Sequence, residues 1–285
     1  MKKILVTGSN GQLGSCLKIK SKEQDTLDFV FLDSKELDIT SKSNIETVFA
    51  KTKFDYCINC AAYTAVDAAE DNHEIAHKVN VEGPKYLSEV CNIYDCTLIH
   101  ISTDFVYSGE SSIPYLETDL TSPICVYGET KLKGEREISM ILNKFYIIRT
   151  SWLYSEYKNN FVKTMLKLAS EKEVLSVVND QIGTPTNAND LAEAIIKIIN
   201  HKNKDYGLYH FSNLGDTTWF GFAKAIFELT DTSITLNSVD SKIFKTKAKR
   251  PKYSVLDKSK INKTFDLKIL NWKQSLEKHI KINNL

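Results

Sequence analysis

The sequence predicts an α/β fold: a doubly wound parallel sheet with a smaller C-terminal lobe. Two observations lead there. Short apolar runs alternate with helical patterns through the first 150 residues, and strand–helix alternation with short joins makes right-handed crossovers and a parallel sheet. The first apolar run also enters a glycine-rich turn that opens a helix, the place where such sheets hold phosphates.

The elements follow in order. A strand over 4–7 meets Gly8, Gly11 and Gly14, and a helix over 12–22 follows. Further strands are expected over 29–32, 56–59, 97–102 and 146–149, with helices over 43–51, 73–94 and 127–142 between them. Beyond residue 150 the pattern loosens into a helix near 159–171, a strand over 174–178 and a helix over 188–200, then helices near 217–229 and 272–281. The expected division is a dinucleotide-binding domain over 1–150, with 174–200 returning to it, and a substrate-binding lobe from 151–173 and 201–285.

Composition excludes several classes. The 285 residues are 42% hydrophobic and 26% charged, which disfavours disorder and leaves enough apolar surface for a core without staples. Thirty-seven basic residues oppose thirty-six acidic ones for a net charge of +1, so no global field draws nucleic acid or an anionic membrane. No apolar run approaches the ~18 residues of a membrane span. The N-terminal apolar stretch is broken at Gly8, unlike a secretory signal, so a cytoplasmic location is expected. The six cysteines (16, 57, 60, 91, 96, 125) are then expected as reduced, mostly buried thiols.

Glycines at 8, 11 and 14 permit a tight turn, backbone approach to a pyrophosphate and close strand–helix packing. Their flanking strand and helix supply the required context for a Rossmann-like site. Asp33 ends the next strand, where an acid hydrogen-bonds an adenosine ribose. A carboxylate there repels a 2′-phosphate and argues for NADH; Lys35 softens that, so NADPH and NADH both stay open.

Tyr127-Gly-Glu-Thr-Lys131 puts a phenol and an ammonium at i and i+4 on one helix face. A tyrosine pKa near 10 is too high for ready exchange at neutral pH, and lowering it by about three units requires roughly 4 kcal/mol of differential stabilisation. A nearby ammonium and a nicotinamide cation favour the phenolate. Thr103 and Asp104 follow Ser102 at the end of the fourth strand, on the carboxyl edge where open sheets bind ligands. Tyrosine, lysine and a strand-end hydroxyl form a proton-transfer set beside a hydride carrier.

With these segments the chain resembles the extended short-chain dehydrogenase/reductases and, among them, the dTDP-4-dehydrorhamnose reductase family. The matching segments are the glycine turn, Leu37-Asp-Ile-Thr40, Asn59-Cys-Ala-Ala-Tyr-Thr-Ala-Val-Asp67, Ser102-Thr-Asp104, Val126-Tyr-Gly-Glu-Thr-Lys131, Arg149-Thr-Ser-Trp152, Asn159-Asn-Phe161 and Asp180-Gln-Ile-Gly-Thr-Pro-Thr186. They run in family order over about 1–190, and Arg250-Pro251 extends the match into the last lobe. The resemblance implies that Gly11, Gln12 and Leu13 contact the pyrophosphate, that Asp38 and Ile39 border the adenine, and that Ala62, Tyr63 and Thr64 line the cofactor. It implies Tyr127 as general acid, Lys131 on the nicotinamide ribose and Thr103 tuning Tyr127. Val66, Thr103, Asp104 and Trp152 are then expected to hold the deoxysugar, and Arg250 the diphosphate. Trp152 has a competing reading as packing at the lobe junction. The implied reaction is reduction at C4 of dTDP-4-dehydro-β-L-rhamnose. Alternatives are a reductase or epimerase of another nucleotide-linked keto-sugar, or a non-catalytic regulatory subunit. A homodimer is compatible with the resemblance. Two positions where dimeric members use glutamates in an interface metal site carry Cys16 and Asn189 here, which argues against a metal-bridged dimer.

Three other signals are set aside. His73-Glu-Ile-Ala-His77 spells the zinc-peptidase pattern but sits in a crossover helix with no third ligand following. Cys57, Cys60, Cys91 and Cys96 suggest a thiolate site, yet 57 and 60 fall on opposite faces of a strand. The stretch from Lys242 to Lys252 carries six positive charges with a single aromatic, Phe244, among them, thin support for a nucleic-acid patch.

Overall fold

A computed structural model describes residues 1–285. In chain order it holds β1 (Lys2–Thr7), α1 (Gln12–Lys20), β2 (Leu27–Leu32), α2 (Lys42–Lys51), β3 (Tyr56–Asn59), α3 (Val66–Ala69), α4 (His73–His77), α5 (Gly83–Ile93), β4 (Thr97–Thr103), α6 (Val126–Ile141) and β5 (Phe145–Thr150). There follow β6 (Leu153–Tyr154), α7 (Phe161–Glu171), β7 (Val174–Val178), β8 (Ile182–Gly183), β9 (Thr186–Asn187), α8 (Ala188–Asn200), β10 (Gly207–His210), β11 (Thr217–Thr218), α9 (Trp219–Leu229), β12 (Thr235–Val239), α10 (Ser259–Phe265) and α11 (Trp272–Asn283). All five strands expected in the first half form.

Six strands make one sheet in the order β10-β5-β4-β3-β1-β2, every pair parallel. Alternation along β1 explains why both faces are covered. Ile4 and Val6 join the core under α1 and α8, while Leu5 joins the core under α2 and α5. All three are fully buried, and each is worth roughly 1.5–3 kcal/mol of burial. The chain reverses direction across the sheet at β1, so the loops after β1 and β3 flank one crevice.

The helix expected over 73–94 is interrupted. A π turn over 78–82 separates α4 from α5. Pro84 has no N–H for the carbonyl of Asn80, four residues back, and its ring crowds that carbonyl. The helix widens there, and the freed Asn80 carbonyl turns to Gly134 on α6, where a Cβ would lie 2.1 Å from it.

The division of the chain needs two corrections. β7 does not return to the main sheet; it pairs with β12 in a separate two-stranded sheet. Its burial alternates, with Leu175 and Val177 buried and Val174 and Ser176 exposed, the pattern of a strand with one covered face. β10, assigned by sequence to the lobe, is instead the edge strand beside β5. Tyr209 packs on one face of the sheet and Leu208 on the other. α8 does return, with Leu191 and Ile195 in the core shared with Leu13 and Leu17 of α1. The lobe core joins α7, α9 and α11 around Phe222 and Ile226. No helix is long and apolar enough to cross a membrane.

Candidate active site

The β1–α1 turn is shaped to let something approach its backbone. Gly8 has φ +61°, and a Cβ there would stand 2.6 Å from the Ala61 nitrogen; at Gly14 it would stand 2.7 Å from Ser9 Cα. No side chain fits either place, so the turn stays low against the sheet. Gly11, exposed at the N-cap of α1, leaves that end without a side-chain cap, and the free N–H groups of the first turn face the crevice. This cradle fits a dinucleotide pyrophosphate. Only backbone is on offer from the next two residues. Leu13 is 4% exposed in the core, and the Gln12 carboxamide accepts from Ser155 and Asn160 at 2.9 and 3.1 Å.

Asp33 lies beside the turn. Its Oδ2 accepts from Asn10 at 2.7 Å and its Oδ1 from the Lys35 amide at 2.8 Å. Asp38 caps its own turn, accepting from the Thr40 amide and hydroxyl. Ile39 is buried against Gly83 of α5, so of this pair only Asp38 is exposed. Ala62, Tyr63 and Thr64 lie on the loop after β3. Asn80 clamps that loop, accepting from the Tyr63 amide at 2.9 Å and donating to its carbonyl at 3.1 Å.

Across the crevice, α6 carries Tyr127 in its first turn and Lys131 one turn on. Enclosure pushes the Tyr127 phenol up; the Thr103 hydroxyl pulls it down and the Asp104 carboxylate pushes it up again. The proton therefore stays on the phenol at neutral pH. Lys131 is not among the groups that move the Tyr127 phenol. Its stem carries Nζ to the Ile101 carbonyl, 2.6 Å away, and to 3.0 Å from His100 Nε2. A fully buried amino group must find acceptors, and the sheet offers them. Burial brings Lys131 down to about 8.

Thr103 accepts from the Phe105 amide at 3.2 Å and donates to Asp104 Oδ1 at 3.1 Å. Asp104 is 2% exposed, and its Oδ2 has no hydrogen-bond partner. Burial pushes this carboxyl up to about 6, while the nearby Ser254 hydroxyl and that of Thr103 pull it down. An unpaired buried acceptor is costly and marks a place for a ligand hydroxyl.

Val66 opens α3, and the neighbouring Asp67 receives Arg250. Trp152 sits at φ 45°, a left-handed conformation rare for a large side chain. Its ring stacks on Trp219 at 3.5 Å between centroids and 9° between planes. Gly183 lies so close that a Cβ would meet the indole at 2.6 Å. Trp152 thus packs at the lobe junction, and its partner Trp219 carries the stack to the wall of the adjoining cleft. That cleft, of 1310 Å³, is lined by Gly109, Phe161, Ile182, Trp219, Lys249 and Arg250 among others. Tyr127 is not among its lining residues.

Several buried residues escaped the sequence reading. Glu135, one turn beyond Lys131, receives Arg149 through Nε at 2.9 Å and Nη2 at 2.6 Å, and accepts from the Ser102 hydroxyl. Arg149 also donates to Tyr107, whose hydroxyl is 2.9 Å from His210 Nε2. A charged residue on the inner face of a helix, four positions from Lys131, was the available signal.

The discounted motifs have other partners. His73 Nε2 is 3.0 Å from the Glu70 carbonyl, and His77 faces Glu82 at 3.5 Å. All six cysteines are free thiols. Cys16 is fully buried and Asn189 donates to Glu156 at 2.9 Å. In the basic stretch, Lys247 pairs with Asp71 and Arg250 with Asp67.

A family model described as the RmlD substrate binding domain matches residues 1–284. A dTDP-4-dehydrorhamnose reductase of Aggregatibacter actinomycetemcomitans is 40% identical over 97% of this chain and 98% of its own. The crystal structure of a dTDP-4-dehydrorhamnose reductase from Clostridium acetobutylicum superposes with a TM-score of 0.95 at 39% identity, covering 99% of this chain and 100% of that one. That of the Bacillus anthracis enzyme in complex with NADP gives 0.94 at 38%, with the same coverage. The cradle after β1, the Tyr127–Lys131 face of α6 and near-complete coverage by these relatives place this chain in the dTDP-4-dehydrorhamnose reductase family.

Proposed function

We propose that this chain reduces the C4 keto group of dTDP-4-dehydro-β-L-rhamnose to dTDP-L-rhamnose, with NADPH or NADH as reductant, in the cytoplasm. The observation that carries the reading is the grouping of Tyr127, Thr103 and the unpaired Asp104 oxygen on the carboxyl edge beside the glycine cradle. A bound reduced nicotinamide supplies the hydride that the C4 carbon receives. Tyr127 gives its proton to the C4 oxygen. Thr103 hydrogen-bonds at that oxygen and favours the phenolate left behind. Asp104 Oδ2 accepts from a sugar hydroxyl. Lys131 holds the nicotinamide ribose, and Asp33, Asp38 and the 62–64 loop border the adenosine half. Val66 and Trp152 enclose the deoxysugar, which places the diphosphate toward Arg250 and the 1310 Å³ cleft.

The test is oxidation of reduced cofactor by the purified chain with freshly generated dTDP-4-dehydro-L-rhamnose, run with NADPH and NADH in parallel. Substrate-dependent loss of the reduced-nicotinamide absorbance, with dTDP-L-rhamnose as product, is expected. Cofactor binding without turnover would move the assignment to another nucleotide-linked keto-sugar or to a regulatory subunit.

A further inference from the structure

Behind Lys131 runs a row of buried polar side chains that the proposed reaction leaves unused: Thr7 on β1, Asn59 on β3 and His100 on β4. Their exposures are 0%, 1% and 0%, so their hydrogens go to protein partners. Asn59 Oδ1 accepts from the Thr7 hydroxyl at 2.7 Å and from the Ala61 amide at 3.2 Å. A backbone N–H only donates, so this end of the carboxamide is its oxygen. The other end, Nδ2, stands 3.0 Å from His100 Nδ1 and donates to it. A neutral imidazole that accepts at Nδ1 carries its proton on Nε2. That proton points at Lys131 Nζ, 3.0 Å away. An ammonium has three donors and no acceptor and meets Nε2–H donor against donor. An amine has a lone pair to receive it. The other contact of Lys131, to the Ile101 carbonyl, suits both forms.

We propose that His100, locked by Asn59 in its Nε2–H tautomer, is a positioning residue that holds Lys131 against the sheet and weakens its grip on a proton. The role rests on the reading of Lys131 as a cofactor-binding residue of a reductase. Other groups facing Lys131 act in the opposite sense or are neutral. Glu135 and Cys60 favour the ammonium, but Glu135 is shared with Arg149 and Ser102, and burial keeps Cys60 a thiol. Tyr127, on the same face, keeps its proton. His100 itself stays uncharged because burial and the neighbouring Lys131 hold its pKa well below the usual histidine range.

Long-range proton–nitrogen spectra of the labelled full-length chain read histidine tautomers directly. His100→Gln identifies the His100 signals; if that variant does not fold, Lys131→Met identifies them through the ring nitrogen it perturbs. The expected result is a neutral Nε2–H ring between about pH 6 and 9. Asn59→Asp keeps the oxygen facing Ala61 and sets a carboxylate oxygen against Nδ1. It is expected to move the proton to Nδ1 and to raise the pH at which kcat/KM turns down by about one unit. A merely structural His100 would change its tautomer in this variant but leave that pH limb in place. A charged or Nδ1–H ring in the unmodified protein overturns the proposal. Absence of turnover at every pH overturns the reductase reading instead, and leaves the tautomer result to decide this one.

Discussion

Arg250 closes on Asp67 through a two-pronged ion pair, Nη2 to Oδ2 at 2.7 Å and Nη1 to Oδ1 at 3.1 Å. The pair ties the basic strap to α3, whose first residue is Val66. A guanidinium expected to meet the diphosphate therefore already has a carboxylate partner. It keeps further donors for a phosphate oxygen, and the fork holds it at the mouth of the cleft.

Arg250→Ala is accordingly predicted to raise KM for the nucleotide sugar by about tenfold or more, while kcat changes by less than about threefold. Arg250→Lys should not restore KM, because lysine cannot make the fork. Steady-state kinetics with saturating cofactor checks this; an unchanged KM in Arg250→Ala would remove the arginine from the substrate site.

Asp104 gives a prediction linking pH and stability. Its carboxyl is raised to about 6 in the folded chain, above an unfolded value near 3.9. The folded state therefore favours the protonated form. Its relative advantage is fully present below about pH 4 and is lost as pH rises through 6. Asp104→Asn, which cannot ionise, should be more stable than the unmodified chain at pH 7, on the order of 2 kcal/mol. The difference should vanish near pH 4, and turnover should fall. Urea unfolding at the two pH values tests the sign.

The buried pair Glu135–Arg149, with side chains 6% and 4% exposed, anchors α6 to β5. Arg149→Met strands the Glu135 charge and is predicted to cost about 3–5 kcal/mol. Adding Glu135→Gln should recover part of that loss, since the residues share one network. Equal losses in the single and double variants would show that Glu135 never depended on Arg149.

Gly183→Ala tests the Trp152 platform. The added methyl meets the indole at 2.6 Å and must shift it from its stack on Trp219. The predicted result is a folded protein with a raised KM for the nucleotide sugar and unchanged cofactor affinity. Cofactor titration and steady-state kinetics together separate the two.

How much of this was readable beforehand depends on what each feature asks of the chain. The glycine turn was legible because Gly8 and Gly14 must lack a Cβ, a property of the residue itself. β1 to β5 were legible because their apolar runs must cover both faces of a sheet. β10 was not: four residues from Gly207 to His210 carry too short a run, and its pairing with β5 is a long-range choice. β7 was visible as a strand, but nothing in Val174–Val178 says which sheet it joins. At the candidate site, the spacing put Tyr127 and Lys131 on one face. It could not show the bend of Lys131 to Ile101, nor the partner that Arg250 takes, because both depend on buried acceptors from distant segments.

The central claim is that Tyr127 gives the proton while taking little part in holding the cofactor. Tyr127→Phe removes one hydroxyl and keeps the ring that packs on Phe105 at 5.7 Å. Measured together, NADPH affinity and the rate of cofactor oxidation with dTDP-4-dehydro-L-rhamnose test it most directly. Affinity within about threefold of the unmodified chain is expected, with a rate lowered by about 10²–10⁴-fold. A rate within a few-fold of the unmodified chain would contradict it.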